Sequence, residues 1–415
     1  MNHLYSRLSD PACLRAAAMW VLFAAFVLRV CWAISVPVIP LSDSNAYDVF
    51  AQNIAAGHCY CWRPGEPTAY WAVGTAALYA AIYGVFGHSY TAIVVLNILV
   101  ALASVALGMS LARRWLGPVA GMLTGWILAL WPLMIEFTTI LASEMLFNLC
   151  VLAVFWLAGM PGWKWFPRGL AAGIALAASV YIRPVALLLA PLAFVQEALI
   201  QRRPGRALAA CSLACVVMIA LVLPWSMRNL QVFDRFVLVS TNAGANFWMG
   251  NNPDSNGGYM PLPETDIVNE ADLDRDLNRK AWEYIREQPL AFVARSLKKA
   301  VVLHERESIG VSWNEEGLER SFGRGVLMPL KIISLAYWWL MLACAAYGLV
   351  LLLRRRTWLE VLSLPPLVAW AYYTAVHAIT VTGDRYHVPS DPFIAMLAAY
   401  ALGEILARFS PSGER

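Results

Sequence analysis

Ten stretches of this chain are apolar enough to read as membrane spans, and that constrains the fold more than anything else in the sequence. They cover roughly 16–39, 88–112, 116–134, 144–160, 168–182, 184–200, 206–225, 325–353, 357–379 and 387–407. Crossing a hydrocarbon core about 30 Å thick takes about 20 helical residues. No water there satisfies backbone N–H and C=O groups, so a spanning segment must close its own hydrogen bonds as a helix. The expected fold class is an all-α polytopic membrane protein with about ten transmembrane helices. Composition agrees: 60% of the residues are hydrophobic and 14% charged, against roughly half and a quarter in soluble domains. The 18 Trp and 16 Tyr suit the two interfacial belts.

Loop arginines set the orientation. Arg7 and Arg15, Arg113 and Arg114, Lys164 and Arg168, Arg202, Arg203 and Arg206, Arg354 to Arg356, and Arg408 with Arg415 fall on one side, provided that residues 69–86 do not span. The positive-inside rule makes that side cytoplasmic, with both termini on it. Residues 69–86 are then expected as a juxtamembrane or re-entrant helix embedded against protein. The first apolar run is too long for a signal peptide and shows no small-residue cleavage site, so it reads as an uncleaved anchor. The net charge of +4 is spread over short loops, which argues against nucleic acid as a partner.

Three units follow: an N-terminal transmembrane module, 1–225, whose first outer loop is 38–87; a small mixed extracytoplasmic segment, 226–322; and C-terminal transmembrane helices, 323–415. Within the middle unit, helices are expected near Ala271–Glu287 and Leu290–Glu305, split by Pro289. Phe292, Leu297 and Val301 among Arg295, Lys298 and Lys299 suggest that the second lies flat on the membrane surface. Neither a P-loop nor a dinucleotide fingerprint occurs, and no His, Asp, Glu or Cys cluster has metal-ligand spacing. Of the eight cysteines only Cys59 and Cys61 fall in a polar loop, and their pairing is left open.

The loop "PLSDSNAYDVFAQNIAAG" leaves the first span and at once presents carboxylates. Tyr47, Phe50 and Ile54 give it one apolar helical face, and Gly57 closes it. Asp43 has two readings: a cap for this helix, or a general base at the membrane exit. Asp48 lies about 140° around the helix from Asp43 at 3.6 residues per turn. A carboxylate pair is therefore not expected, and Asp48 reads as a position where substitution is mild.

This loop, with "PTAYWAVGTAALYAAIYGVFG", "ALWPLMIEFTTILASEMLF", "YIRPVALLLAP", "LPWSMRNLQVFDRFVLVSTNAGANFWMGNNP" and "GDRYHVPSDPFIAMLAAYAL", resembles the bacterial protein O-mannosyltransferases and lipid A aminoarabinose transferases of the glycosyltransferase C (GT-C) superfamily. The resemblance covers roughly residues 15–405. It implies a GT-C fold and transfer of a sugar from a polyprenyl-phosphate donor to an acceptor hydroxyl, with inversion, on the extracytoplasmic face of the bacterial inner membrane. Asp43 matches the catalytic aspartate. Glu144 matches an acidic residue that shapes the site beside it. The resemblance implies neither a cofactor nor a catalytic metal. Its partners would be the lipid-linked donor, membrane lipid and an acceptor on a glycan, lipid or protein. Glu66 departs from the aminoarabinose transferases, which carry a lysine directly before the matching proline.

The leaving polyprenyl phosphate gains negative charge, which calls for fixed guanidinium groups. Arg183, Arg385 and Arg228 fall at the expected outer face. Arg183, at the edge of an apolar span and before Pro184, reads as a phosphate ligand or as a snorkelling residue. Arg385, with Tyr386 beside it, reads as a phosphate ligand, and Arg228 as a phosphate ligand or an interfacial anchor. His387 reads as a structural hydrogen-bonder. The rival function is a transporter or flippase for a lipid-linked saccharide, for which inverted repeats and broken midplane helices would be expected. Neither stands out. A reporter fused after Arg114 or Arg203 should read as cytoplasmic and one near Asn256 as extracytoplasmic; a cytoplasmic reading near Gly87 would overturn the non-spanning assignment of 69–86.

Overall fold

The computed structural model describes residues 11–409, so Arg7 and Arg415 of the expected cytoplasmic side lie outside it. The described chain is helical: α1 Pro11–Ser35, α2 Asp43–Ala55, α3 Gly74–Phe86, α4 Tyr90–Leu116, α5 Pro118–Leu130, α6 Pro132–Glu136, α7 Glu144–Ala158, α8 Trp165–Ile182, α9 Leu189–Leu199, α10 Pro204–Phe233, α11 Ala243–Gly250, α12 Glu270–Glu287, α13 Pro289–Val302, α14 Ile309–Trp313, α15 Glu315–Phe322, α16 Leu327–Arg355, α17 Trp358–Leu362, α18 Pro365–Ile379 and α19 Asp391–Phe409. Among the described residues there is no β-strand, only an isolated bridge between Cys61 and Pro67. The 226–322 segment is thus helical and irregular rather than mixed.

Proline and glycine decide where helices break. Among the described residues, six helices are long and apolar enough to cross a membrane: Leu14–Ser35, Tyr90–Leu116, Trp165–Ile182, Pro204–Phe233, Arg324–Arg355 and Val388–Arg408. A seventh results if Pro118–Leu130 and Pro132–Thr139, bent by 56° at their break, count as one. The other expected spans correspond to Glu144–Ala158, Pro184–Leu199 and Pro365–Ile379, which are shorter. A 15-residue helix such as α7 or α18 extends only about 22 Å at 1.5 Å per residue. Hydropathy alone overstates the number of full-length spans because it does not see the prolines that cut them.

The bend after α5 explains a buried arginine. Pro132 has no N–H to give the Leu128 carbonyl, and the bend disrupts the next bond. Arg29 of α1, 0% exposed, donates to the Ala129 and Leu128 carbonyls at 3.2 Å each and to Ala25 at 3.1 Å. An intramembrane arginine is usually a functional signal; this one completes a helix end.

Small residues let α8 and α10 approach closely. A Cβ on Gly169 would stand 2.7 Å from the Ala210 carbonyl oxygen, and one on Gly173 would stand 2.8 Å from that of Ala214. Gly-x-x-x-Gly spacing is a familiar means of close helix association in lipid. The basic clusters gather at one end of the bundle: Arg356 Nη2 donates to the Trp115 carbonyl at 3.2 Å, Arg114 Nη1 to Trp156 at 3.3 Å, and Arg206 Nη2 to Trp163 at 2.9 Å. Arg168 pairs with Glu197 at 2.5 Å and Arg355 with Glu404 at 2.6 Å. The alternating arginines of the sequence therefore share one face in space.

At the other end, the first loop is built as a tertiary unit. The 13-residue α3 packs on α2 through Tyr47, Phe50, Ala76, Tyr79 and Tyr83. That agrees with a short helix held against protein rather than a span. Cys59 and Cys61 form a disulfide. Arg228, near the end of α10, donates to the Thr68 carbonyl at 2.9 Å and to that of Tyr60 at 3.5 Å, and stacks over Trp225. Glu270 of α12 takes hydrogen bonds from Thr68 Oγ1, at 2.9 Å, and from the Ala69 amide. The loop chain at 68–69 is thereby clamped between α10 and α12.

On α13, Leu290, Val293, Leu297 and Val301 are exposed along one side while Phe292 packs against the Phe247, Ala281 and Ile285 cluster. That side fits a surface helix, but Lys299 is not part of its polar face. It is 1% exposed and donates to the carbonyls of Gly250, Ile379 and Thr380 and to Asn251. Burial, with Arg295 beside it, lowers its pKa to about 8.

Asp48 overturns the expectation of a mild position. It is 5% exposed, and its Oδ1 meets Tyr83 Oη at 2.6 Å and His88 Nε2 at 3.0 Å. Its Oδ2 accepts from Tyr90 Oη at 3.0 Å and from Gln52 at 2.9 Å. One carboxylate thus joins α2, the end of α3 and the start of α4. Asp48→Asn replaces two acceptor oxygens by one and brings an amide against donors. Hydrogen bonds to charged groups contribute about 1.5–3 kcal/mol each, so thermal melting in detergent should fall by several degrees; a melting temperature equal to the parent's would remove this clasp from the account.

Candidate active site

Asp43 opens α2 but does not cap it. The residue before it, Ser42, is the N-cap, and its hydroxyl makes no capping hydrogen bond. Ser42 holds φ at 56°, a region sparsely used by residues with a side chain. This turn brings the Asp43 carboxylate against the chain's last outer turn, where Oδ2 meets Arg385 Nη1 at 2.5 Å. The two side chains are 18% and 22% exposed, so the pair is largely sheltered yet open to one side. Arg385 also lies over the rings of Trp313 and Tyr386, 5.2 Å to each centroid. Tyr386 in turn stacks on the buried His377 at 4.7 Å.

Arg183 reaches the site from α8. The residue before a proline is pushed out of the helical region, and Arg183, ahead of Pro184, has φ −146° and ψ 117°. The helix ends there and the side chain turns aside. Nη2 lies 2.5 Å from Glu144 Oε1, and Nε donates to Ser143 Oγ at 2.9 Å. Glu144, the first residue of α7, is 1% exposed. Tyr47 links the two ion pairs: Asp43, Arg183, Glu144 and Ser143 all act on its phenol, whose pKa is pushed up to about 12 chiefly by burial. Tyr70, near Tyr259, Tyr386 and Asp43, is likewise raised to about 12, again chiefly by burial.

The structure thus brings together Asp43, Glu144, Arg183, Arg385 and Tyr386. Two sequence candidates stand apart. Arg228 is spent on the loop backbone and on Asn229, and so takes the anchoring role of its two readings. Glu66 is exposed and has no hydrogen bond or ion pair from its side chain among the described contacts. Tyr47, Ser143, Trp313 and His377 were not singled out as site residues. Tyr47 counts in the sequence both in the apolar face and, four residues after Asp43, in the pattern that carries the resemblance, but without a role at the site.

The expectation of no metal-ligand cluster also needs correction. It rested on spacing along the chain, whereas the fold brings one ligand atom each of Glu307, His387 and Asp391 within 4.8 Å of one another, all three residues buried. His387 is a hydrogen-bonder as expected, with Nδ1 2.9 Å from Asp391 Oδ1 and its ring stacked 4.1 Å from Trp338.

No protein-family model matches the chain, and no curated protein does. Solved structures do. The archaeal oligosaccharyltransferase AglB of Archaeoglobus fulgidus, in complex with an inhibitory peptide and a dolichol-phosphate, superposes with a TM-score of 0.56 at 13% identity over 96% of this chain and 52% of its own. The apo form of the Archaeoglobus fulgidus enzyme gives 0.58 at 12% identity, covering 94% and 51%. ArnT from Cupriavidus metallidurans bound to undecaprenyl phosphate gives 0.46 at 16% identity, covering 94% and 78%. The chain therefore spans about half the length of the archaeal chains it matches. Its fold is that of the archaeal oligosaccharyltransferase, and its apolar helices make it a multi-pass membrane protein.

Removing one partner of a buried ion pair costs about 3–5 kcal/mol because the other charge is left uncompensated. Arg183→Ala should therefore destabilise the protein, and the double variant Arg183→Gln/Glu144→Gln should recover most of the loss. Thermal melting of the two single variants, Arg183→Gln and Glu144→Gln, and of the double measures this; a loss in the double equal to the sum of the single losses would mean that the two side chains are not energetically coupled.

Proposed function

We propose that this chain is a glycosyltransferase of the inner membrane that moves a sugar from a polyprenyl-phosphate donor to an acceptor hydroxyl on a glycan, lipid or protein, with its site facing the periplasm or exterior. The observation that carries the reading is the pairing of one largely sheltered carboxylate, Asp43, with the Arg385 guanidinium, with the Arg183–Glu144 pair held nearby around Tyr47, at the end of the bundle opposite the basic clusters. The dolichol-phosphate bound by the archaeal oligosaccharyltransferase supports a lipid-phosphate donor.

The chemistry assigns a role to each group. Asp43 accepts the acceptor's hydroxyl proton as that oxygen attacks the anomeric carbon. The carbon–oxygen bond to the phosphate breaks from the opposite face, which inverts the centre. The diester becomes a monoester, and Arg385, helped by Arg183, stabilises the charge gained on it. Arg385 is held in the resting site by Asp43 and two aromatic rings, so an arriving phosphate finds a pre-oriented fork. Glu144 and Ser143 fix Arg183 and the edge of the site.

Asp43→Asn tests the reading. Asparagine keeps a hydrogen-bond acceptor for Arg385 but takes up no proton. Transfer of labelled sugar from polyprenyl phosphate in reconstituted vesicles should fall by at least about 100-fold, within the range usual for loss of a general base. Donor binding should survive; melting temperature should fall because Arg385 loses its counter-charge, so turnover is compared per folded protein. Arg385→Lys should lose donor affinity and recover only part of the turnover lost in Arg385→Ala. An Asp43→Asn protein that turns over like the parent would sink the base assignment.

A further inference from the structure

Behind the site, the turn that delivers Arg385 also carries His387 and Asp391, and both face Glu307. All three are 0% exposed. Glu307 takes hydrogen bonds from Trp131 Nε1 alone, at 3.1 Å and 3.0 Å to its two oxygens. His387 Nδ1 is 2.9 Å from Asp391 Oδ1, while His387 Nε2 and Asp391 Oδ2 have no hydrogen-bond partner. Among the described residues, no lysine or arginine lies within ion-pairing distance of either carboxylate; their recorded ion pair is the Asp391–His387 contact.

Burying even one uncompensated carboxylate costs several kcal/mol, and here two are packed with an imidazole and no fixed cation. The site therefore calls for positive charge, which either protons on the carboxyls or a bound cation would supply. From this geometry we infer that Glu307, His387 and Asp391 form a structural site for a divalent cation of the zinc class. One imidazole nitrogen and two carboxylate oxygens are the ligand types of Zn²⁺ and its transition-metal neighbours rather than of Ca²⁺ or Mg²⁺, which favour oxygen alone. Bonds of about 2.0–2.2 Å would draw the ligand atoms closer than the present 4.8 Å limit, a contraction of the order of 1 Å that side-chain rotation supplies. The Trp131 N–H on Glu307 is the kind of outer hydrogen bond that orients a ligand carboxylate.

The consequence is positional. The ion would tie the Glu307 segment to the 384–391 turn, a tie already begun by Ser308 Oγ donating to Asp384 Oδ2 at 2.9 Å. Arg385 lies two residues before His387, so the ion would hold the guanidinium against Asp43 without touching substrate. This inference stands whether or not the transfer reaction does.

The test uses the full-length protein in detergent, stripped with EDTA and then equilibrated separately with Zn²⁺, Co²⁺, Mn²⁺ and Mg²⁺. Elemental analysis by mass spectrometry should find roughly one Zn²⁺ or Co²⁺ per chain and no Mg²⁺. Zn²⁺ should raise the melting temperature and EDTA should reverse the rise. Glu307→Gln and His387→Gln should each lower the bound ion at least about tenfold, whereas His58→Gln, on the exposed part of the first loop, should not. Unmodified protein that takes up no ion and melts alike with Zn²⁺ and EDTA would overturn the inference, and would assign the site to protonated carboxyl groups. Uptake unaffected by either substitution would overturn it equally, since the ion would then sit elsewhere. The unmodified protein decides the first outcome even if both variants fail to fold.

Discussion

The ion pair between Asp43 and Arg385 joins residues 342 positions apart, and the architecture can be read as what is needed to make that contact. Neither side chain has another strong partner of opposite charge. The carboxylate leaves the first span on a turn that Ser42 holds at positive φ. The guanidinium enters from the turn before α19, sandwiched by Trp313 and Tyr386. In a sheltered setting each charge alone would be costly. Together they set how the first loop docks on the last helices. The Asp48 clasp, the Arg228 clamp and the Glu270 bonds all act on the loop side of that contact and hold the loop that presents Asp43 at 2.5 Å from Arg385.

What the sequence disclosed and what it hid divide along a physical line. Arg183 was legible because it breaks a local rule: a charge at the rim of an apolar span, before a proline that ends the helix. Glu144 was singled out by the resemblance alone, since a carboxylate at a helix start is locally ordinary. The basic end of the bundle was legible because charge in short loops is a property of composition. Asp48 was not. Its meaning lies in Tyr83, His88 and Tyr90, three residues that look like ordinary interfacial aromatics until α3 folds back on α2. Arg228 stayed ambiguous because an anchor and a phosphate ligand have the same sequence signature; only its distances to the Thr68 and Tyr60 carbonyls decide for the anchor. Glu307 was hidden altogether. It stands 80 positions from His387 in the chain, and no spacing pattern reaches that far.

The helix count shows the same division. Hydropathy measures how apolar a segment is, whereas crossing a bilayer also needs unbroken rise. Pro132, Pro184 and Pro365 keep their segments apolar while shortening them. The irregular backbone this creates is tolerated at membrane depth only where protein covers it. Arg29 on the freed carbonyls of α5 and Asn97 on those of Thr138 and Ile140 are that cover. Two buried polar side chains that hydropathy scores as faults are therefore what make the broken spans possible.

Under the proposed chemistry, the resting pair also orders the reaction. In the resting site the Asp43 carboxylate is occupied by the Arg385 guanidinium at 2.5 Å. A phosphate diester that binds Arg385 competes for the same N–H groups and loosens Asp43. Asp43 is thus freed to meet the acceptor hydroxyl where a donor has taken over Arg385. Arg183 does not share this behaviour, because its partner Glu144 is 1% exposed and offers no room for displacement. One arginine exchanges partners and the other stays fixed, which gives the two similar residues different tasks: Arg385 senses the leaving group, and Arg183 holds the wall against which it is sensed.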